Sequence, residues 1–335
     1  MPTTPTRLPA RPLAAATGLL SLAACAPVAS GILLFGDLLG VTWSPRAYRT
    51  AALAQTAAAV LTSFWLVWTT VARTRRDPMC PSRRRLEQAE AAFYSVIVIA
   101  AFFPDGPDTL GTTLFCCALA RLAMAVTASH DRPLDLSLGT RTPAERLQTW
   151  SITERTVGAC IFGAAAASLC MYALRFIKAD IAVPMMAGDQ LATIGIGGAG
   201  DLVLTVLCAL AVEDIVIVAA GTSLLTAAGR PAWQIYTVIC TVEVALHAYL
   251  GLPALGMALY AAARVKLFRA YGRVLPLLVG HAAFDVLGGL TTPLPLLIRL
   301  PVLLLVGTAA YRIGTRIRQA AAADTKQHAP HQELT

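Results

Sequence analysis

Residues 202–221 read LVLTVLCALAVEDIVIVAAG, an apolar run that is interrupted once, at Glu213 and Asp214. A membrane-spanning helix needs about 20 predominantly apolar residues, and this run has that length. The whole chain of 335 residues shares this character, since 56% of its residues are hydrophobic, 14% are charged, and the mean hydropathy is +0.64. Soluble domains carry about 25% charged residues. The composition therefore excludes a soluble, a disordered or a disulfide-rich secreted protein and predicts a membrane protein.

Further apolar stretches predict an all-α, polytopic membrane bundle of about ten transmembrane helices, within a range of eight to ten, and no β-sheet. Two of these stretches flank FFPDG (102–106), and this pair is also compatible with one re-entrant hairpin. The stretches are 13–38, 50–72, 91–104, 110–129, 156–176, 199–226, 232–250, 253–270, 274–290 and 294–312.

The 27 Lys and Arg residues predict the orientation, because cytoplasmic loops carry an excess of basic residues. With the N-terminus inside, most of them fall on the cytoplasmic side, including the run RTRRDPMCPSRRR (73–85) and Arg264. We interpret that run as a stop-transfer loop at the membrane lipid and expect no nucleic-acid partner. Arg121 and Arg299 fall within spans, where we expect a charge partner and a side chain reaching the interface. The pattern predicts a multi-pass cell-membrane protein with both termini in the cytoplasm.

The chain divides into four predicted segments. Residues 1–12 form a cytoplasmic N-terminus, 13–198 hold helices of unassigned role, 199–318 hold the polar spans described next, and 319–335 form a disordered cytoplasmic tail. The sequence LAAC (22–25) resembles a lipoprotein signal that would be acylated at Cys25. Because the apolar character continues to residue 41, we favour an uncleaved first helix.

Charged groups inside apolar spans are the strongest functional signal, because a charge at the bilayer centre costs about 2.5–3.5 kcal/mol even on insertion scales. Residues four apart lie on one helix face, so Glu243 and His247 share one face of their helix, and His281 and Asp285 share one face of theirs. If these faces turn toward Glu213, the groups form one polar cavity. Three neighbouring spans carry such pairs: Glu213 and Asp214, Glu243 and His247, and His281 and Asp285.

These residue types suffice to hydrolyse an amide bond inside the membrane. Glu213 can take a proton from water as a general base. The imidazoles of His247 and His281 can donate hydrogen bonds to the oxygen that becomes negative when a carbonyl is attacked. Asp285, one helical turn after His281, can fix the tautomer and orientation of that ring. No Ser or Cys nucleophile with its own base stands out beside them.

On these residues the C-terminal third resembles the CPBP family of intramembrane proteases, relatives of the CAAX proteases and of the bacterial Abi proteins. The family motifs EExxxR, FxxxH and HxxxN or HxxxD correspond to VEDIVIV at Glu213, to EVALH (243–247) and to HAAFD (281–285). The resemblance covers roughly residues 200–312. It implies a glutamate-type endopeptidase that needs no bound metal. Glu213 would be the base, His247 would position the water or polarise the carbonyl, and His281 with Asp285 would stabilise the oxyanion.

Three positions depart from those motifs. Asp214 stands in place of the second Glu, Val218 in place of Arg, and Glu243 in place of Phe. The missing Arg removes a cation that would pair with the acidic residues, and Glu243 adds a negative charge. We therefore assign Asp214 and Glu243 supporting roles and keep an inactive relative open as an alternative.

The expected substrate is a membrane-associated peptide or protein. It could be a prenylated C-terminus, a bacteriocin-type leader or a peptide signal. The Ala- and Arg-rich composition with few lysines resembles that of a high-GC bacterium, where protein prenylation is not expected, and this favours the last two.

Two other function classes stay open. A zinc hydrolase could use Glu213, His247 and His281 as ligands, with Glu243 or Asp285 as the fourth ligand or base, but HExxH is absent and zinc is disfavoured. A catalytically inactive scaffold or a proton-coupled transporter could use the same groups as a relay. No inverted repeat supports a transporter.

Overall fold

The structure, a computed structural model, describes residues 10–38, 40–76, 79–102, 108–139, 141–177, 196–291 and 296–328. These residues form ten helices, one at each predicted apolar stretch, and no β-strand, so the all-α class is confirmed. The helices are α1 (Ala10–Leu38), α2 (Pro45–Arg76), α3 (Pro81–Phe102), α4 (Thr109–Ser129), α5 (Pro143–Phe176), α6 (Ala199–Ala227), α7 (Ala232–Leu246), α8 (Met257–Tyr271), α9 (Leu275–Thr291) and α10 (Leu296–His328).

Five of these helices are long and apolar enough to cross a membrane: α1, α2, α4, α5 and α6. Two more, α7 and α9, are apolar but shorter. The chain therefore has the character of a helical membrane bundle, although the count of about ten spans is not confirmed. The helix α3 is not among the five because its first part is charged. It begins at Pro81 and includes Arg83, Arg84, Arg85 and Glu87 before its apolar part starts.

The helix α6 changes its hydrogen-bonding pattern where its acidic residues lie. It is α-helical over Ala199–Ala209, π-helical over Leu210–Gly221 and α-helical again over Thr222–Ala227. A π-helical turn holds more residues than an α-helical turn, and such turns are frequent at functional sites. The wider turn reduces the angle between successive side chains. Glu213 and Asp214 are adjacent in sequence, yet both side chains are buried in the interior.

The chain between α7 and α8 is not a simple loop. The helix α7 ends at Leu246 with His247 as its C-cap, and two 3-10 turns follow, Ala248–Leu250 and Leu252–Gly256. Gly251 between them has φ of 73°, a left-handed conformation that favours glycine. This break places His247 at the end of a helix, next to Glu243 one turn earlier.

Helices from the segment of unassigned role pack directly on the helices that carry the polar pairs. The helix α1 contacts α6, α7 and the first 3-10 turn, α4 lies along α6, and α5 packs on α8 and α9. Glycines permit this close approach: a Cβ on Gly31 would lie 3.1 Å from Ala248 Cβ, and one on Gly256 would lie 2.6 Å from Ala167 N. The N-terminal helices thus form walls around the polar residues of the C-terminal part.

The first and last helices extend beyond the limits that the sequence predicted. The helix α1 is continuous through Cys25 and begins at Ala10, earlier than the predicted span. The disordered tail predicted from residue 319 is wrong as far as 328, because α10 continues to His328. The Ala-rich stretch at 320–323 explains the continuation, since Ala has the highest helix propensity. Residues 1–9, residues 329–335 and all of FFPDG except Phe102 lie outside the described residues.

The packing of α9 on α5 yields a prediction about a matched pair of glycines. A Cβ at Gly280 would lie 2.6 Å from Thr153 O, whereas a Cβ at Gly158 on α5 would meet nothing within 4 Å. We expect Gly280→Ala to lower the free energy of unfolding by about 1–3 kcal/mol through overpacking. Gly158→Ala should be neutral or stabilising by up to about 1 kcal/mol, because Ala is the better helix former. Unfolding in lipid–detergent micelles measures both, and equal effects would contradict the close approach.

Candidate functional site

The six side chains singled out in the sequence lie together in one cluster formed by α6, α7 and α9. Glu213 occupies the middle: its Oε1 lies 3.9 Å from His247 Nε2, and its Oε2 lies 3.7 Å from His281 Nε2. Asp285 Oδ2 lies 3.2 Å from the same His281 nitrogen. The carboxylate of Glu213 therefore has one imidazole on each side.

Three acids of this cluster converge on Arg264 of α8, a residue that the topology prediction assigned to the cytoplasmic side. Its side chain is fully buried. Nη1 donates to Asp214 Oδ1 at 2.6 Å, and Nη2 donates to Glu243 Oε1 at 2.7 Å and to Glu213 Oε2 at 3.3 Å. A count of basic residues does not predict this burial, because it cannot separate a loop Arg from one on a buried helix face.

Arg264 supplies the charge that the acidic residues need. A guanidinium is always protonated and can bridge several carboxylates at fixed geometry. Three carboxylates from two helices share this one cation, which also stacks on the ring of Tyr260 with Cζ 3.4 Å from the ring centroid. Such cation–π contacts gain strength when they are shielded from water. Removal of the cation would leave several buried acids without their partner.

Tyr260 is a second site residue that the sequence analysis missed. Its hydroxyl lies 3.0 Å from Glu213 Oε2 and 2.7 Å from His281 Nε2, with His281 Nδ1 at 3.1 Å. The residue is buried, and its ring meets the His281 ring edge-on. A signal for both missed residues exists in the sequence, because Tyr260 and Arg264 are four apart, the same spacing as in the two pairs that were recognised.

His281 is held by a partner other than the expected one. Its Nδ1 lies 2.8 Å from Asp214 Oδ2, and since a carboxylate accepts, Nδ1 carries a proton and donates. Asp214, and not Asp285 alone, therefore fixes the orientation of this ring. The remaining nitrogen, Nε2, faces the Tyr260 hydroxyl and Asp285. It is the position at which this ring can gain or lose a proton.

His247 is oriented by the end of α7. Its Nδ1 lies 2.9 Å from the backbone oxygen of Glu243, and because a carbonyl can only accept, Nδ1 is the donor. In the neutral ring Nε2 is then an acceptor, and it faces Glu213 Oε1 at 3.9 Å. Two acceptors that face each other at this distance are suited to a donor between them, such as a water molecule.

The accessibility of the cluster decides which groups can meet another molecule. The exposed fractions of the side chains are 24% for Asp285, 13% for His247, 11% for Glu213 and 4% for His281. Arg264 and Tyr260 lie behind them, inside the protein. The groups positioned to act on a ligand are therefore Asp285, His247 and Glu213. The geometry offers His281 little access as a direct oxyanion donor, in contrast with the role that the motif resemblance implies.

The same cluster contains a group of residues that could hold a divalent metal. Among the described residues, the three that bring potential ligand atoms within 4.8 Å of one another are Glu213, Glu243 and His247, which differs from the set expected for zinc. Arg264 Nη2 already binds one oxygen of each of these two glutamates. The guanidinium would repel a dication beside it, whereas the buried Glu243 Oε2 has no hydrogen-bond partner among the described residues.

Comparison of the chain with protein-family models, with curated proteins and with solved structures finds no match. The geometry of this cluster and the three motifs are therefore the features of the chain that bear on its function.

The position of Arg264 yields a prediction about stability. Arg264→Met should lower the free energy of unfolding by about 3–5 kcal/mol, because it removes one side of a buried ion cluster and leaves the acids unpaired. The control is Lys266→Met, two residues along the same helix at an exposed position, which should change stability little. Unfolding in lipid–detergent micelles measures both variants. Equal stability of Arg264→Met and wild type would contradict the bonding described for Arg264.

Proposed function

We propose that the chain is an intramembrane endopeptidase of the CPBP type that hydrolyses a peptide bond of a membrane-associated substrate. The observation that carries this proposal is the pair formed by Glu213 Oε1 and His247 Nε2, which face each other at 3.9 Å at the accessible edge of the cluster. A water molecule that donates to both atoms would have its oxygen lone pairs directed outward, toward a substrate carbonyl. This is the arrangement that general-base catalysis by a glutamate requires.

In the proposed reaction Glu213 takes a proton from that water through Oε1. The water oxygen attacks the carbonyl carbon, and the peptide C–N bond breaks when the nitrogen receives a proton. His247 holds the water and receives its second hydrogen bond. Arg264 and Tyr260 hold the other oxygen of Glu213, Oε2, so that Oε1 stays directed toward His247. No step needs a bound metal.

The buried Arg264 is relevant to whether the site is catalytically active. The motif position at Val218 cannot pair with the acids, but Arg264 pairs with three of them from a different helix. The departure from the motif is therefore compensated in space, which supports an active enzyme over an inactive scaffold. A proton-coupled transporter remains the alternative that uses the same groups.

We also propose a multi-pass position in the cell membrane with both termini in the cytoplasm, on the basis of the Lys and Arg distribution. A reporter fused to the C-terminus that is active only in the periplasm should stay inactive. The proposed substrates are a bacteriocin-type leader or a peptide signal. Contacts with membrane lipid follow from the five long apolar helices.

The proposed function predicts the behaviour of a Glu213→Gln variant. Wild-type protein in vesicles should cleave members of an acyl-anchored, quenched fluorescent peptide library, and Glu213→Gln should lower the rate by at least about 10²–10⁴-fold, because it lacks the base. The control Glu154→Gln changes a half-exposed glutamate on α5, outside the cluster, whose Oε2 lies 3.9 Å from Arg318 Nη1, and this variant should cleave normally.

Three results would contradict the proposal. Full activity of Glu213→Gln would remove the base. Loss of activity with a chelator, followed by recovery with zinc, would replace the metal-free reaction with a metal-dependent one. Proton flux into the vesicles without cleavage of any peptide would favour the transporter.

A further inference from the structure

The Tyr260 hydroxyl has one proton and two competing acceptors. It lies 3.0 Å from Glu213 Oε2 and 2.7 Å from His281 Nε2, so it is within hydrogen-bonding distance of both but can donate to only one. When it donates to Glu213, Nε2 of His281 must itself carry a proton for the second contact to be favourable. When Nε2 carries no proton, the hydroxyl can turn and donate to it. The protonation of Glu213 and that of His281 are therefore linked through one O–H bond.

His281 Nε2 has a second neighbour to which it can pass a proton. Asp285 Oδ2 lies 3.2 Å away, while Nδ1 of the same ring stays bonded to Asp214 at 2.8 Å. Proton exchange is thus confined to Nε2. Asp285 is also the most exposed of the four carboxyl groups in the cluster, with 24% of its side chain accessible. A proton that arrives at Asp285 is at the edge of the site, whereas one on His281 is buried.

We propose that Asp285 is the general acid that protonates the departing nitrogen of the substrate, and that Tyr260 is a positioning residue that links its protonation to Glu213. This inference rests on the proposed peptidase function. It gives Asp285 a role as proton donor, which differs from the oxyanion role implied by the motif resemblance.

The proton transfers balance as follows. In the resting site Glu213 is a carboxylate that accepts from Tyr260, and His281 carries protons on both nitrogens. Glu213 Oε1 then takes one proton from the attacking water, and Oε2 becomes a weaker acceptor. The Nε2 proton of His281 passes to Asp285, and the Tyr260 hydroxyl turns to the bare Nε2 without losing its own proton. Asp285 finally gives its proton to the leaving nitrogen, and the Glu213 proton returns through His281 or solvent to reset the site.

The chemistry of the leaving group distinguishes this role from a merely structural one. An amine leaves an amide only when its nitrogen is protonated, whereas the alkoxide of an ester leaves far more readily without help. A general acid is therefore needed for an amide bond and much less for an ester bond. Damage to the fold, or to the base Glu213, would lower both reactions together.

The test compares two acyl-anchored quenched peptides in vesicles that differ only in the scissile bond, one amide and one ester. We expect Asp285→Asn to lower kcat for the amide by about 100-fold, the typical share of a general acid, and to change ester cleavage little. Tyr260→Phe should lower kcat for the amide by a similar factor and ester cleavage by clearly less, because Arg264 still holds Glu213 Oε2. The double variant should be no slower than the slower single variant, because both changes interrupt one path. The control Tyr236→Phe, which removes a hydroxyl from α7 near Arg269, should leave both reactions unchanged.

The outcomes distinguish a failure of this inference from a failure of the function on which it rests. Cleavage of neither peptide by wild type would overturn the peptidase and the inference together. Wild-type cleavage that depends on Glu213, combined with normal amide cleavage by Tyr260→Phe and Asp285→Asn, would overturn only the proton path. Equal losses on the amide and the ester would show that the two residues act through structure and would overturn it as well.

Discussion

The buried guanidinium of Arg264 is the interaction on which the rest of the site depends. Without it, Glu213, Asp214 and Glu243 would be acids crowded together inside an apolar bundle, and each would be costly to bury in charged form. With it, one cation holds acids from α6 and α7 and stacks on Tyr260 of its own helix. Asp214 in turn bonds to His281, so α9 is connected to Arg264 indirectly, through Asp214. Four helices are joined through one side chain.

This arrangement explains why the local structure departs from regular helices where it does. The π-helical part of α6 directs two adjacent acids inward, and the break after α7 releases His247 at a helix end beside Glu243. Glycines on α1, at the turn and on α9 let α1 and α5 close around the cluster. The groups that face inward are held by several bonds each, while Asp285, His247 and Glu213 reach the accessible edge. An interior held by several bonds, with a few accessible acid and imidazole groups, is consistent with the hydrolytic site that we propose.

The helices and two of the polar pairs could be predicted from the sequence, whereas the bonding partners within the cluster could not. Long apolar runs are costly to place in water, so they predicted the ten helical segments. The spacing of four residues correctly paired Glu243 with His247 and His281 with Asp285. The bonding partners were not visible. Arg264 looks like any other basic residue near a loop, and the composition around it does not show that it faces three acids. Whether α3, α7 and α9 cross the bilayer also depends on a membrane that composition alone does not place.

The most direct test of the central role of Arg264 is a double-mutant cycle on the free energy of unfolding with Arg264→Met and Asp214→Asn, whose side chains are both fully buried and bonded at 2.6 Å. If the cation neutralises the acids, Asp214→Asn should cost much less once Arg264 has been replaced, with a coupling of about 0.5–3 kcal/mol, since contacting residues in one network are not additive. Additive effects, within about 0.3–0.5 kcal/mol, would mean that the two side chains do not interact and would contradict this account.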